Sequence, residues 1–335
     1  MTPKSTAVLA ASLLGISALA GCAASGAEST TTVRVVGYSV LQAANESVLE
    51  DFLATDAGAG VRFTESYGAS GDQSRAVLAG QPADEVHLSL EPDVTKLVDD
   101  GLVAADWKDN ATRGICTQSI VVMVVRPGNP QNISTWSDLV EPGVEIVTPN
   151  PASSGSAKWN LLAAYGSVLA EGGSEAEAQQ YLTALFAHAV ALPDSGRDAT
   201  TAFTGGTGDV LLSYENEAIL ARQSGADFDY VVPESSILIQ NPCAVTVDAP
   251  PAAQAFLEFQ KTETAQQGYA QTGYRPLVNV TDLVVKGAND ERNPFPEPKV
   301  LLTVDQDFGG WADANVRFFD AGKGIITMIQ AEAGR

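Results

Sequence analysis

Ser119-Ile-Val-Val-Met-Val-Val125 is an unbroken apolar run rich in β-branched residues. A second long apolar run, Ser236-Ile-Leu-Ile-Gln-Asn-Pro-Cys-Ala-Val-Thr-Val247, follows after a long intervening segment. Each run is typical of a buried strand, and the second is long enough to pass from one domain to another. Two crossing strands, one leading out and one leading back, predict that the residues between them form a second lobe inserted into the first.

Shorter apolar runs alternate with amphipathic stretches on both sides of these strands. The predicted strands are 33–37, 61–67, 85–90, 144–148 and 209–214, and the predicted helices are 42–55, 72–80, 93–101, 158–169, 174–190, one from about 216 and one near 252–268. This alternation predicts α/β architecture with mainly parallel sheets.

The N-terminus has the order of a secretory signal. Lys4 precedes an uncharged run of apolar and small residues that is too short to span a membrane and ends in Leu19-Ala-Gly-Cys22. A cysteine in this place is similar to a bacterial lipobox, although an ordinary buried cysteine is the alternative. Small and polar residues follow it. We predict a signal peptide at 1–21, and a lipidated Cys22 with a flexible tether at 22–32.

The chain of 335 residues has 19 basic and 41 acidic residues, a formal net charge of −22. This balance argues against a nucleic-acid partner. An anionic ligand would have to be held by neutral dipoles, in a place sheltered from the overall field. The two histidines, His87 and His188, form no cluster with cysteines at ligand spacing, so neither a metal site nor a cofactor is expected.

Cys116 and Cys243 fall near the two predicted crossing strands. In a chain exported to an oxidising compartment, two such cysteines favour a single disulfide at the hinge. Two separate buried thiols are the alternative.

Three junctions share one design, in which a predicted strand runs through a Gly/Ser-rich turn directly into a helix. They are Tyr67-Gly-Ala-Ser70-Gly-Asp-Gln-Ser74, Pro149-Asn-Pro-Ala-Ser-Ser154-Gly-Ser156-Ala-Lys-Trp159 and Asp194-Ser-Gly196-Arg197-Asp-Ala-Thr-Thr-Ala-Phe203. Unpaired amides and the helix dipole at such starts can hold an anion. Each junction alone is also explained by ordinary N-capping. Three in one chain favour a shared site in the cleft between the lobes.

The sequence gives little support for an enzyme. Ser154 and Ser156 both miss the Ser-x-x-Lys spacing to Lys158, and no Gly-x-Ser-x-Gly elbow occurs. Glu215 and Glu217 are two residues apart and do not face each other on a helix, so we interpret them as acids of a first helical turn. We expect a binding protein rather than a catalyst.

Several longer blocks of sequence are specific enough to be compared with a known protein family. They are Thr148-Pro-Asn-Pro-Ala-Ser-Ser-Gly-Ser-Ala-Lys-Trp-Asn-Leu-Leu-Ala-Ala-Tyr-Gly166, Gly208-Asp-Val-Leu-Leu-Ser-Tyr-Glu-Asn-Glu-Ala218, Gly68-Ala-Ser-Gly-Asp-Gln-Ser74, Tyr274-Arg-Pro276 and Phe308-Gly-Gly-Trp311. Together they closely resemble the sulfate and thiosulfate periplasmic-binding family, from about Val33 to the C-terminus. The resemblance implies a type II periplasmic-binding-protein fold: two lobes, each a mostly parallel sheet flanked by helices, joined by a two-strand hinge. We assign 33–119 and 244–335 to lobe I and 120–243 to lobe II.

The resemblance also implies a dehydrated dianion held by neutral donors, with no contacting cationic side chain. The matching donors are the amides of Ser39, Ser70, Gly155 and Ser156, the hydroxyls of Ser154 and Tyr214, and the amide of Gly196 or Arg197. The last two remain alternatives because this junction is one residue shorter than the family pattern. Ser39 replaces an aspartate of the family and Tyr214 a tryptophan. A tyrosine hydroxyl can accept as well as donate, which makes rejection of a protonated anion less strict.

A pocket made only of donors suits sulfate, whereas hydrogen phosphate brings a proton that needs an acceptor. The resemblance therefore implies capture of sulfate or thiosulfate for the permease subunits of an ABC importer. We expect a monomer held by its lipid anchor at the extracellular face of the cytoplasmic membrane, in the cell envelope. A molybdate- or tungstate-type oxyanion, or a surface sensor that uses the same fold, is the alternative.

Overall fold

The computed structural model describes residues 30–334. The predicted signal peptide and Cys22 lie outside the described residues. Thr31 and Thr32, predicted as the end of the tether, belong to the first strand, where they pair with Val61 and Arg62. Because threonine is β-branched and suits a strand, the folded body begins two residues earlier than predicted.

The first lobe starts as a parallel sheet whose strands alternate with helices. Its elements are β1 (Thr31–Tyr38), α1 (Gln42–Leu53), β2 (Val61–Gly68), α2 (Ser70–Leu78), β3 (Glu85–His87) and α3 (Glu91–Asp99). The strands lie in the order β2-β1-β3, and β1 is parallel to both neighbours.

A long strand, β4 (Ile115–Val125), leads into the second lobe. The elements of that lobe are β5 (Ile146–Val147), α4 (Gly155–Ala170), α5 (Glu175–His188), β6 (Ala189–Ala191), α6 (Gly196–Thr204), β7 (Val210–Tyr214), α7 (Glu215–Gln223) and β8 (Asp229–Val231). β5 is parallel to β6 and β7, and β4 runs antiparallel to β7 and β8.

A second long strand, β9 (Ser235–Val245), returns to the first lobe. It pairs with the first half of β4 in antiparallel fashion, and its end pairs with β3, also antiparallel. β4 and β9 are therefore the two crossing strands, and the predicted two-lobed α/β architecture is confirmed. The sheets are mixed rather than mostly parallel because β4 and β9 run antiparallel to each other, β4 to β7 and β8, and β9 to β3.

The chain ends in helices and one short strand. These are α8 (Pro251–Phe259), α9 (Glu263–Gln271), β10 (Val300–Leu302), α10 (Val304–Asp307), α11 (Gly310–Phe319) and α12 (Ile325–Glu332). The single helix predicted near 252–268 is two helices. The break falls at Thr262, whose hydroxyl accepts a hydrogen bond from the Ala265 amide and caps α9.

The tail after α9 packs mainly on the second lobe, whereas the predicted division places 244–335 wholly in lobe I. β10 pairs with the start of β9, α12 packs on α5, and the rings of Trp159 and Trp311 meet edge to face. Gly166 on α4 explains part of this packing. A Cβ there would lie 2.5 Å from Leu302 and 3.1 Å from Phe308, so the absent side chain lets the tail reach the helix.

Cys116 and Cys243 are joined by a disulfide where β4 and β9 meet. Their Cα atoms are 5.8 Å apart and their sequence separation is 127 residues. A bridge that closes so long a loop stabilises the fold mainly by restricting the unfolded chain.

Candidate functional site

A small cavity lies between the lobes, where several helices begin. The space that the centre of a water-sized sphere can occupy in it is about 10 Å³, and every residue that lines it is uncharged. The lining residues are Tyr38, Ser39, Val40, Ala69, Ser70, Ser89, Ser154, Gly155, Ser156, Ser195 and Gly196. They come from the end of β1 and the 3₁₀ turn that follows it (Ser39–Leu41), from the starts of α2, α4 and α6, and from the three residues between β3 and α3.

These helix starts have backbone N–H groups available for a ligand. The first amides of a helix have no partner within that helix. Within the described chain, the N-cap residues Ala69 of α2 and Ser154 of α4 make no side-chain cap. At α6 the Ser195 hydroxyl accepts from the Asp198 amide at 3.1 Å, two residues beyond Gly196. Converging helix N-termini of this kind favour an anion.

Glycine at two of these starts permits a close approach of the backbone. A Cβ at Gly155 would lie 2.4 Å from Ser89 Oγ, and a Cβ at Gly196 would lie 3.1 Å from a methyl group of Val40. Ser89 and Val40 belong to the first lobe, and the two glycines to the second. The absence of a side chain at Gly155 thus lets the lobes meet directly at the cavity wall.

The lobes are closed around the cavity. The Gly71 amide donates to the Ser153 carbonyl at 3.1 Å, and Trp159 Nε1 donates to the Ser89 carbonyl at 3.0 Å. Ser70, Ser154 and Ser156 on the wall are almost fully buried. An anion held here would lose its water shell, so the protein would have to supply its hydrogen bonds.

Charged side chains near the cavity are engaged with one another. Asp93 accepts from the Ser70 hydroxyl at 2.7 Å and forms an ion pair with Lys96 at 2.9 Å. Arg197 forms an ion pair with Glu217, also at 2.9 Å. These pairs leave the wall itself to neutral groups.

Lys158 lies in the first turn of α4, but its side chain contacts the C-terminal tail and not the cavity. Its ammonium group lies 4.7 Å from the ring centroid of Phe319 and 3.3 Å from the Asn315 side-chain oxygen. Burial lowers its pKa to about 8, although the nearby Asp93 carboxylate acts in the opposite direction.

Glu215 and Glu217 differ from the expectation for acids of a first helical turn. Both are buried, and each has its own arginine: Glu215 binds Arg275, and Glu217 binds Arg197. Burial raises the pKa of Glu215 to about 7, while the Arg275 guanidinium lowers it. They are therefore partners in buried ion pairs rather than acids that interact only with the dipole of α7.

The structure brings six of the eight predicted binding residues together. Ser39, Ser70, Ser154, Gly155, Ser156 and Gly196 all line the cavity. The other two, Arg197 and Tyr214, are not among its lining residues. The Arg197 side chain turns toward Glu217, and Tyr214 lies behind Ser89, with the two hydroxyl oxygens 2.7 Å apart. A role for the Arg197 amide stays a prediction.

Sequence reasoning missed five residues of the wall. Tyr38, Val40, Ala69 and Ser195 are direct neighbours of predicted residues, so extending each junction by one position would have found them. Ser89 had a weaker signal. Leu88-Ser89-Leu90 also joins a strand to a helix, but it contains no glycine.

Among residues 30–334, no group of three or more His, Cys, Asp or Glu side chains is arranged to hold a metal ion. The helices of this described part are all too short or too polar to cross a membrane.

Residues 33–275 match the family model of the bacterial extracellular solute-binding proteins. The chain belongs to this family. Among the relatives of this solute-binding protein, the sulfate-binding protein of Synechococcus elongatus is 40% identical over 99% of this chain and 97% of its own length. The thiosulfate-binding protein of Pseudomonas aeruginosa is 32% identical, with coverage of 82% and 84%.

A solved structure gives the same result for the fold. The sulfate-binding protein SubI of Mycobacterium tuberculosis matches 87% of this solute-binding protein and 100% of its own chain, with 43% identity and a TM-score of 0.81. The resemblance to the sulfate and thiosulfate family is thus confirmed. As a member of an extracellular family, this solute-binding protein belongs outside the cytoplasm.

Proposed function

We propose that this solute-binding protein captures sulfate, or the related dianion thiosulfate, in the interlobe cavity and delivers it to the permease subunits of an ABC importer. The observation that carries the proposal is the cavity wall, where uncharged residues at several helix starts surround a small closed space. The sulfate- and thiosulfate-binding relatives, which match most of the chain, support the same ligand class.

The chemistry of this wall suits a fully ionised oxyanion. Sulfate only accepts hydrogen bonds, so backbone amides and serine hydroxyls can satisfy it without a buried positive charge. Hydrogen phosphate carries a proton, and a buried donor that meets another donor costs about 1–3 kcal/mol. The net charge of −22 does not prevent binding, because distant surface charges are screened within roughly 8–10 Å at physiological ionic strength.

The proposed ligand donors are the six wall residues predicted from the sequence, with Arg197 as the alternative to Gly196. They are the amides of Ser39, Ser70, Gly155 and Ser156, the Ser154 hydroxyl, and the amide of Gly196 or Arg197. They come from both lobes, so an anion bound to them favours the closed form. Closure is the signal that a permease could read, and no catalytic step is part of this proposal.

The proposed anchor is a lipid on Cys22, which would keep a monomeric binding protein at the outer face of the cytoplasmic membrane. Detergent phase partitioning of the full chain tests it. The wild type should enter the detergent phase, and Cys22→Ala should stay in the aqueous phase. Equal partitioning of the two proteins would exclude the anchor.

Isothermal titration of anion-free protein with sulfate, thiosulfate, molybdate and phosphate tests the ligand. We expect tight binding of sulfate or thiosulfate and no heat with phosphate. A preference for molybdate would keep the fold but overturn the ligand. Loss of sulfate uptake when the gene is deleted would separate transport from a sensor role, in which uptake would be unchanged.

A further inference from the structure

We propose that Ser89 donates a hydrogen bond directly to the bound anion and that Tyr214 positions Ser89 instead of contacting the anion. This inference rests on the proposed capture of sulfate. Ser89 lines the cavity and Tyr214 does not, and their hydroxyl oxygens are 2.7 Å apart. The resemblance gives the donor role to Tyr214, so the inference moves that role to a residue of the first lobe.

The main chain of Ser89 is held from three sides. Its amide donates to the Ser70 hydroxyl at 3.0 Å, and its carbonyl accepts from Trp159 Nε1 at 3.0 Å and from Asn241 Nδ2 at 3.2 Å. The residue is 1% exposed. Because these partners come from both lobes and from β9, the backbone that carries the Ser89 side chain is held in a fixed position at the cavity wall.

Asn241 sets the direction of the hydrogen bonds that reach Ser89. Its Oδ1 accepts from the Tyr38 hydroxyl at 3.0 Å and from the Thr117 hydroxyl at 3.2 Å, which turns its amide nitrogen toward Ser89. The Tyr214 hydroxyl has the side chains of Ser89, Asn241 and Ser156 as hydrogen-bond neighbours. An amide nitrogen can only donate, so the Tyr214 oxygen accepts from Asn241. Of the two serine hydroxyls, Ser89 Oγ is in direct contact at 2.7 Å, and we assign the Tyr214 proton to it.

A serine hydroxyl has one proton and two lone pairs. When Ser89 Oγ accepts from Tyr214, its own proton is left for another acceptor, and the open side of Ser89 is the cavity. The wall then gains a hydroxyl donor next to the unpaired amides of the helix starts. Tyr214, fully buried behind it, supplies orientation without touching the ligand.

The hydrogen bonds around Asn241 also run toward it: each neighbouring group donates its proton in the direction of Asn241. Thr117 donates to Asn241, so His87 Nε2, 3.1 Å from the Thr117 hydroxyl, carries the proton of that contact. Burial lowers the pKa of His87 to about 3, which keeps the ring neutral. The hydroxyl of Tyr274 lies 2.8 Å from that of Tyr38 and donates to it, because Tyr38 uses its own proton on Asn241. This neutral network spans β1, β4 and β9 and ends at Ser89.

The direction of the network bears on selectivity. When Ser89 Oγ accepts a hydrogen bond from the Tyr214 hydroxyl, Ser89 donates its own proton toward the cavity and is a poor acceptor for a protonated anion. A tyrosine at position 214 is then compatible with rejection of hydrogen phosphate, because the Tyr214 oxygen already accepts a hydrogen bond from Asn241.

Sulfate titration of the wild type, Ser89→Ala, Tyr214→Phe and the double variant tests the inference. We expect S89A to weaken binding about tenfold or more, as loss of one hydrogen bond to a charged ligand does. Y214F should weaken it less, and the double variant should match S89A, because Tyr214 acts only through Ser89. A loss in Y214F as large as that in S89A, with losses that multiply in the double variant, would make Tyr214 the direct ligand and overturn the inference.

Titration with phosphate separates positioning from a general structural defect. Y214F frees Ser89 to rotate and accept, so phosphate, which should give no heat with the wild type, should bind this variant measurably. A loss of sulfate affinity in Y214F with phosphate still giving no heat would rule out the positioning role. Ser167→Ala serves as the matched control, since it removes a buried hydroxyl at the far end of α4 and should leave affinity unchanged. If the wild type had no sulfate affinity, the proposed function would be wrong. If the wild type bound sulfate and S89A bound it equally well, only this inference would be wrong.

Discussion

Ser154 at the start of α4 and Glu215 at the start of α7 both lie in the second lobe, and both are nearly inaccessible to water. Around Ser154 the wall is neutral. Around Glu215 the Arg275 guanidinium supplies two hydrogen bonds, at 2.7 and 3.2 Å. A permanent buried charge needs a permanent partner. A site that is filled only part of the time is better made of dipoles, which cost little when it is empty.

This comparison predicts that mutations at the two helix starts separate stability from affinity. The largest effect should come from Arg275→Ala, because it leaves the Glu215 carboxylate buried and unpaired. Breaking a buried pair from one side costs about 3–5 kcal/mol. Urea unfolding should show this loss, while sulfate affinity of the folded fraction should change little.

The double variant Arg275→Met with Glu215→Leu is the control for that experiment. Removing both charges should restore much of the lost stability, as replacement of buried ion pairs by apolar residues often does. If the double variant were no more stable than R275A, the cost would come from the other contacts of Arg275. These include the Pro296 carbonyl at 2.7 Å.

Another buried carboxylate, that of Glu85, sharpens the comparison because its hydrogen-bond partner is the neutral amide of Gln260. Burial raises its pKa from 4.5 to about 8. The folded protein therefore binds this proton more tightly than the unfolded chain does. The resulting stabilisation is complete below pH 4.5 and is lost as the pH rises to about 8.

Glu85→Gln should remove this dependence. The wild type should lose stability relative to E85Q between pH 5 and 8, on the order of a few kcal/mol, with no further change above that range. Urea unfolding at a series of pH values measures the difference. A constant difference between the two proteins across the range would mean that Glu85 does not titrate there.

The sequence predicted the neutral helix start at Ser154 better than the charged one at Glu215. Turn chemistry is local, so Gly155 and the serines around it mark an open helix start in the sequence itself. The partner of Glu215 is 60 residues away, and nothing near Glu215 indicates that Arg275 will reach it. A first-turn acid and a buried ion-pair partner look alike in sequence.

The same limit applies to the lobes. The crossing strands were predictable because long apolar runs of their kind are rare. The course of the tail was not, since it depends on side-chain packing between distant segments, such as Leu302 and Phe308 against Gly166. Ser89 was missed for a related reason: its place at the wall depends on Asn241 and Trp159, which the sequence separates widely.

Ser154→Ala tests the neutral side of the comparison. Ser154 is the N-cap of α4 but makes no side-chain cap, so its loss should cost little stability. Sulfate affinity should fall roughly tenfold or more, because a hydrogen bond to a charged group contributes about 1.5–3 kcal/mol. Titration and thermal unfolding of the same preparation measure both quantities.

Ser174→Ala is the matched control, because Ser174 truly caps α5: its hydroxyl accepts from the Glu177 amide and the Glu177 carboxylate accepts from the Ser174 amide. This variant should lose about 1 kcal/mol of stability and keep its sulfate affinity. If S154A behaved like S174A, Ser154 would be an ordinary cap and the placement of the site would be wrong.

The smallest effect is expected at Arg113, which joins the first lobe to Asp305 of the tail at 2.9 Å. The two side chains are 70% and 46% exposed, so water and salt screen the pair, and such pairs contribute about 0–1 kcal/mol. Arg113→Gln should therefore change the free energy of unfolding by no more than about 1 kcal/mol and sulfate affinity by no more than about fivefold. Titrations at low and high salt measure this directly. A marked loss of affinity at low salt alone would show that an exposed ion pair, and not only the neutral wall, stabilises the closed form.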